Sequence, residues 1–215
     1  MDDPGKPVSA LDFLPAERDL ESLQHAVRAC RGCQLYRNAT QAVFGEGHPQ
    51  ARLMLIGEMP GNDEDLAGTP FVGPAGRVLD EALRAARIAR ADAYVTNCVK
   101  HFKWEPRGRR RLHKTPGVRE IRACRAWLDA EIALVRPRVL VCLGATAAKA
   151  LLGADFRITR QRGELVSSGL APYVIATGHP SAVLRTPDAG ARTRAMQALT
   201  DDLQRVAEVL SGGQP

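Results

Sequence analysis

Leu53-Met54-Leu55-Ile56-Gly57-Glu58-Met59-Pro60-Gly61 is the stretch whose reading decides the fold. Four apolar residues in succession, closed by glycine, an acid and a Pro-Gly turn, describe a strand covered on both faces that stops at a loop. A strand with one wet face would alternate. Three further runs have the same character: Ala93-Tyr94-Val95-Thr96, Val139-Leu140-Val141-Cys142-Leu143 and Tyr173-Val174-Ile175-Ala176. Helical periodicities lie between them at about 75–89, 118–134 and 145–152, with an earlier helix at about 17–29 and a last amphipathic one near 192–210. Strand and helix alternate, so the expected fold is α/β: a three-layer α/β/α sandwich with a central, mainly parallel, four-stranded sheet. The segment around 163–168 is a candidate for an additional strand.

A chain of 215 residues can bury a core without disulfides. With 45% hydrophobic and 25% charged residues it has globular composition. The Pro, Gly and Asp of residues 1–15 suggest a flexible tail before a single domain at 16–215. No apolar run approaches the roughly 20 residues of a membrane span, and the first residues lack the basic start and apolar stretch of a signal peptide. A cytoplasmic, monomeric protein with no membrane partner is expected. Its five cysteines are then reduced, and burial or metal binding is their better reading.

In an open parallel sheet, ligands bind outside the carboxyl ends of the strands. The residues just past those ends are Glu58, Asn97, Gly144 and His179, so a carboxylate, an amide and an imidazole share one rim. The segment from Gly57 to Asp65 follows the first strand as a phosphate loop would, yet it has no lysine and carries acids that repel phosphate. Both features argue against a nucleoside triphosphate site. Downstream, Gly68-Thr69-Pro70-Phe71-Val72-Gly73-Pro74 holds an aromatic ring in a stiff frame suited to stacking on a planar ligand.

The net charge of +6 is unevenly spread: Lys100 to Lys114 contains seven Lys or Arg against one acid, Glu105. A field of that sign attracts a polyanion. The run Arg109-Arg110-Arg111-Leu112-His113-Lys114, read as a loop, places a potential nucleophile beside phosphate-binding groups. The cysteines form a second constellation. Cys30 and Cys33 are a CxxC after the first helix, Cys98 and His101 follow the second strand, and Cys124 lies in the helix beyond the basic run. Zinc and an iron-sulfur cluster both fit such a set, whereas Cys142 inside an apolar run reads as a small buried hydrophobe.

Taken together, the Gly57-Glu58-Met59-Pro60-Gly61 segment with Glu64-Asp65, the Gly68 to Arg77 segment, Tyr94-Val95-Thr96-Asn97, Leu143 to Gly153 and His179-Pro180-Ser181 resemble the family 4 uracil-DNA glycosylases and their relatives. The resemblance spans about residues 20–210, in the family's motif order. Within it, Arg109 to His113 is similar to the KRRIH-type loop of the UdgX branch, whose members capture uracil-containing DNA covalently through the loop histidine. The resemblance implies a uracil-DNA glycosylase-like fold that acts on uracil-containing DNA, single strands favoured. It implies that Phe71 stacks on the flipped uracil, Asn97 reads its edge, His179 binds its O2, and Glu58 serves the sugar or orients His113. Met59, Gly61, Asp65, Arg111 and Ser181 complete the implied substrate site, and Arg109, Arg110 and Lys114 the phosphate contacts. Cys30, Cys33, His101 and Cys124 are the implied ligands of a 4Fe-4S cluster, with Cys98 as the competing ligand. His101 stands where family 4 usually has cysteine, and Met59 where the UdgX branch has glutamine.

Uracil in a duplex must be flipped before its glycosidic bond can be reached. Breaking the bond from C1′ to N1 leaves an anionic base, favoured by donors near O2, and an oxocarbenium-like sugar, favoured by a carboxylate. Capture of C1′ by His113 gives a DNA-protein adduct, and capture by water gives turnover. The alternatives are a conventional turning-over glycosylase, in which His113 only contacts phosphate, and a non-catalytic iron-sulfur module that binds nucleic acid.

Overall fold

All four apolar runs form strands whose residues are buried throughout or nearly so, because each strand has helices on both of its faces. The computed structural model describes residues 9–212. The sheet is built from β1 (Leu53–Gly57), β2 (Ala93–Asn97), β5 (Val139–Leu143), β6 (Leu165–Ser168) and β7 (Ala171–Thr177) in the order β2-β1-β5-β7-β6. The first four strands of that order pair in parallel, and β6 joins β7 antiparallel with an irregular register between Val166 and Ser168. The sheet thus has five strands rather than four. The short β6 is half exposed and carries little apolar signal, which is why composition alone left it as a candidate.

The strands' alternating side chains divide the core in two. Met54, Ile56, Tyr94, Leu140, Cys142, Val174 and Ala176 pack in one cluster with α1 (Leu20–Val27), α4 (Val118–Val135) and α5 (Ala145–Leu152). Leu53, Leu55, Val95, Val139, Val141, Leu143 and Ile175 pack in the other, with α3 (Pro74–Ala85) and α8 (Ala189–Leu210). These are the three layers expected. Chain order reverses direction between β1 and β5: β2 is laid on one side of β1, and α4 then carries the chain to the other. A crevice forms above the carboxyl ends at such a point.

Short helices α2 (Asn62–Ala67), α6 (Ile158–Gln161) and α7 (Pro180–Arg185) and 3-10 turns at Ala10–Phe13, Gln34–Arg37 and Arg90–Asp92 lie between the longer elements. Of the expected tail, residues 1–8 lie outside the described residues. Beyond them the chain is packed, since Ser9 caps the 3-10 turn and Ala10 is buried against Gly32, where an added Cβ would meet the Ala10 nitrogen at 2.6 Å.

The basic run is not a loop. Trp104–Arg107 (β3) and Arg110–His113 (β4) form an antiparallel hairpin, closed by Gly108 at φ +60° in the first turn position. Strand alternation sends neighbouring arginines to opposite faces. Arg111 turns inward, stacks over Phe102 and Trp104, and donates from Nη1 to Asp65 at 2.6 Å and from Nε to Asn62 at 2.8 Å. Asp65 is fully buried and also accepts the Thr40 N–H at 2.9 Å. The Trp104 indole adds a bond to the Asn38 carbonyl at 2.8 Å. The hairpin is thereby fastened to α2 and to the segment before β1.

Arg111→Met strands the Asp65 carboxylate in the interior and is expected to cost about 3 kcal/mol of unfolding free energy in urea titrations. Arg111→Met combined with Asp65→Asn should recover much of that loss. Additive losses would show that the two side chains do not act as a pair.

Candidate active site

The carboxyl ends of β1, β2, β5 and β7 open into a cleft of about 730 Å3. Glu58, Met59, Gly61, Phe71, Asn97, His113, His179 and Ser181 line it, together with Gly144, Thr146 and Arg185. A larger depression, about 950 Å3, lies at the amino ends of the strands among Arg52, Asp129, Arg138 and Pro172. It holds no imidazole, and the groups able to move protons or attack carbon are gathered in the smaller cleft.

Glu58 is the first residue past β1. One carboxylate oxygen accepts the hydroxyl of Thr146, in the first turn of α5, and the other lies 3.6 Å from His113 Nε2. That separation is longer than a formed hydrogen bond. The His113 side chain is 50% exposed at the hairpin's end and faces the cleft across Glu58. Partial burial lowers its pKa, Glu58 opposes the shift and Arg185 adds to it, so the ring is neutral near pH 7.

The sequence around His179 fixes its tautomer. His179 caps α7, and its Nδ1 accepts the Ser181 backbone N–H at 3.1 Å. Ser181 Oγ is 2.7 Å from the same nitrogen and accepts from Arg185 Nη1 at 2.7 Å, so its own hydrogen is directed to Nδ1. The ring proton therefore sits on Nε2. Burial, with smaller contributions from Arg185 and His113, lowers the pKa of His179 to about 4. A neutral imidazole that donates from Nε2 is an anion-stabilising group that carries no charge of its own.

Phe71 stands beside His179, ring centroids 6.1 Å apart and nearly parallel at 30°. Its backbone is left-handed, φ +57°, a strained conformation for a bulky residue. Gly57 and Gly76 make that placement possible. A Cβ on Gly57 would meet Asn97 Oδ1 at 2.3 Å and the Phe71 ring at 2.7 Å, and a Cβ on Gly76 would meet the Phe71 carbonyl at 1.7 Å. Asn97, at the end of β2, and Phe71 thus close on each other over a bare backbone. The Glu64 carboxylate joins the two glycine-rich segments by accepting the N–H of Gly61 at 3.0 Å and of Gly73 at 2.8 Å.

Asp65 and Arg111, both carried into the substrate site by the resemblance, face each other beneath the hairpin and do not line the cleft. A forked guanidinium meeting a buried carboxylate is a packing device here. Arg109 and Arg110 are exposed and make no ion pair among the described residues, whereas Lys114 pairs with Glu105 at 2.9 Å. Sequence reasoning missed Thr146, Arg185 and the clamp made by Glu64. Only Glu64 had a local signal, standing three residues past Gly61 as the capping acid of α2.

Cys30, Cys33 and Cys124 come within electrostatic reach of one another. Cys30 Sγ accepts the Trp127 indole N–H at 3.2 Å, and Cys124 Sγ accepts the Lys100 backbone N–H at 3.3 Å. Burial pushes the Cys124 thiol up to about 12. His101 is buried on the same segment as Lys100, held neutral by burial with a pKa of about 4. Cys98 is fully buried, and its thiol is pushed up to about 12 by burial. Among the described residues no three His, Cys, Asp or Glu side chains are grouped tightly enough to hold a single metal ion. A polynuclear cluster separates its ligand sulfurs more widely than a single ion does, and soft donors that already receive N–H bonds suit it.

Residues 44–204 match the uracil DNA glycosylase superfamily. The type-4 uracil-DNA glycosylase of Thermotoga maritima is 39% identical over 170 residues, covering 79% of this chain and 85% of that protein. That of Pyrobaculum aerophilum is 36% identical over 176 residues, 79% and 86% of the two chains. That of Archaeoglobus fulgidus is 35% identical over 206 residues, 91% and 97%.

The lowered pKa of His179 has a consequence for stability. Between its unfolded value near 6.5 and about 4, the unfolded chain binds a proton that the folded chain refuses. Stability contributed by the neutral ring is present above that window and is lost as pH falls through it. The urea midpoint should therefore decline from pH 6.5 to pH 4, and His179→Asn should flatten the decline; an unchanged slope would show that the ring is not held neutral.

Proposed function

The chain belongs to the uracil-DNA glycosylase superfamily, and from that premise we propose that it excises uracil from DNA and that His113 then captures the sugar covalently. The observation that carries this reading is the convergence of Glu58, His113 and His179 in one cleft, with both imidazoles neutral. The flipped base stacks on Phe71 with its O2 turned to His179, and Asn97 offers an amide to its N3 and O4 edge. An aromatic wall and one amide pattern select uracil over thymine and cytosine. The exposed Arg109 and Arg110 hold flanking phosphates of the strand, single strands being favoured.

As the bond from C1′ to N1 breaks, its electron pair leaves with uracil, and His179 Nε2–H donates to the O2 on which charge develops. Glu58 faces the sugar and opposes the positive charge at C1′. The neutral His113 ring then supplies its lone pair to C1′, forming the new N–C bond, and the adduct sheds the remaining ring proton to solvent. Held on a hairpin anchored by Arg111, the imidazole competes with water at high effective concentration. The type-4 relatives favour a second reading, in which water takes C1′ and the enzyme turns over.

Cys30, Cys33, Cys124 and His101 are the set that would hold a 4Fe-4S cluster. Bound there, it supplies a covalent tie among the segment after α1, the segment after β2 and α4, rather than a reacting group. Purified protein is expected to be brown, with the visible absorption lost in Cys30→Ala; stoichiometric zinc without iron would refute this assignment.

The decisive experiment is a denaturing gel with uracil-containing single-stranded DNA. Wild-type protein should give a one-to-one adduct that survives denaturation while free uracil is released without turnover. In His113→Ala the adduct should vanish while base release persists. Glu58→Gln and His179→Ala should lower release and adduct together, each by about 100-fold or more, as for removal of a charge-stabilising group. Multiple turnovers by wild type establish the water reading, and a fully cross-linking His113→Ala protein names another nucleophile. Asn97→Asp, which trades a donor for a charge, should weaken uracil processing in the same assay.

A further inference from the structure

Behind the cleft lies a buried ion pair that the proposed chemistry does not use. Lys100 and Glu131 are both fully buried, and their side chains are in direct contact. Every hydrogen of the ammonium is engaged: it donates to Glu131 Oε2, to Thr96 Oγ1 at 2.6 Å and to the Asn97 carbonyl at 2.9 Å. The other oxygen of Glu131 accepts from Gly45 N–H at 3.0 Å, Tyr94 OH at 3.0 Å and Thr96 Oγ1 at 2.9 Å. The Phe44 ring lies 5.6 Å from the ammonium.

A paired charge in a dry interior gives weak support to stability, because desolvation offsets most of the attraction. What such a pair can supply is position, since its geometry is fully specified on all sides. The position specified here is that of Asn97. Its carbonyl is held by Lys100 Nζ from below, and the Lys100 backbone N–H is held in turn by Cys124 Sγ at 3.3 Å. The Lys100 carbonyl accepts Val43 N–H at 2.7 Å. One residue therefore ties the peptide that carries the Asn97 amide to α4, to the segment before β1 and to the sulfur group.

We infer that Lys100, clamped by Glu131, is the positioning residue that holds the Asn97 amide in register with the flipped base. The inference rests on the reading of Asn97 as the group that contacts uracil. Its effect is on orientation during bond cleavage rather than on capture of DNA, which the exposed arginines perform. Loss of the clamp should lower the maximal rate of uracil release and blur the choice between uracil and cytosine. Half-saturation by DNA should stay near its wild-type value.

The test uses the purified holoprotein and uracil-containing single-stranded DNA, with single-turnover uracil release measured against protein concentration. Lys100→Met combined with Glu131→Gln removes both charges and keeps an acceptor for Gly45, Tyr94 and Thr96. Its maximal rate should fall at least about 10-fold, as expected for a slight misplacement of a substrate-positioning group, while visible absorption is retained. Tyr94→Phe removes a different donor to the same carboxylate and should leave the rate unchanged even where the melting temperature drops. Thr96→Val, a milder lesion at the same ammonium, should lower the rate in the same direction and carries the test if the double variant does not fold. A full rate in the folded variants at Lys100 or Thr96, or an equal loss in Tyr94→Phe, overturns the inference. Asn97→Ala measured alongside separates the two levels: unaltered uracil selectivity there overturns the reading of the pocket and this inference with it.

Discussion

Burial of the parallel strands on both faces leaves their ends as the places where polar groups can meet solvent and substrate. Leu53 to Ile56, Val139 to Leu143 and Val174 to Ala176 are almost wholly inaccessible, so no reacting group can be placed along them without the cost of desolvation. Polar function is pushed to the carboxyl ends of the strands. Glu58 and Gly144 directly follow β1 and β5, Asn97 is the last residue of β2 and His179 the second residue past β7, and parallel pairing brings all of them to one rim. The ladder extends one step past the strands, with Cys98 N–H on the Gly57 carbonyl at 2.9 Å and Val99 N–H on the Glu58 carbonyl at 3.1 Å. The backbone carrying the carboxylate and the amide is therefore as fixed as the sheet.

Three buried carboxylates organise the loops around that rim, and none faces a solvated cation in the usual surface manner. Glu64 joins two glycine segments by their N–H groups, Asp65 anchors the hairpin through Arg111, and Glu131 seats Lys100 behind Asn97. Each is costly to leave unpaired and so tolerates a single arrangement of its partners. The same economy of alternatives governs His179, whose Nδ1 is claimed by Ser181 and whose proton is thereby left on Nε2, facing the cleft. Phe71, Arg87 and Arg136 have left-handed backbone, and of these Phe71 forms one wall of the cleft.

Much of the site was legible before any fold was seen. Unbroken apolar runs declare buried strands locally, because four or five residues suffice to show that neither face is wet. Once strands are located, the residues at and just past each carboxyl end are rim residues by connectivity alone, which is how Glu58, Asn97, Gly144 and His179 could be named together. The CxxC of Cys30 and Cys33 is likewise a local pattern. The fifth strand was harder to see, since Leu165 to Ser168 is exposed on alternate residues and pairs only through β7. The hairpin had a signal that composition hid: Gly108 in a two-residue turn, masked by arginines that read as a solvated loop.

What the sequence by itself determined was the class of fold, the rim residues and the charge of the surface around them. Tertiary structure alone decided the strand order, the inward turn of Arg111 to Asp65, the contact of Thr146 with Glu58, the link from Arg185 through Ser181 to His179, and the seating of Lys100 on Glu131. The physical reason is range. Periodicity and capping act within a few residues, whereas most of those pairs join residues tens of positions apart and exist only after register and packing have placed them. Even the short Arg185 to His179 link depends on which face of α7 meets the cleft, and that is set by the sheet against which it packs.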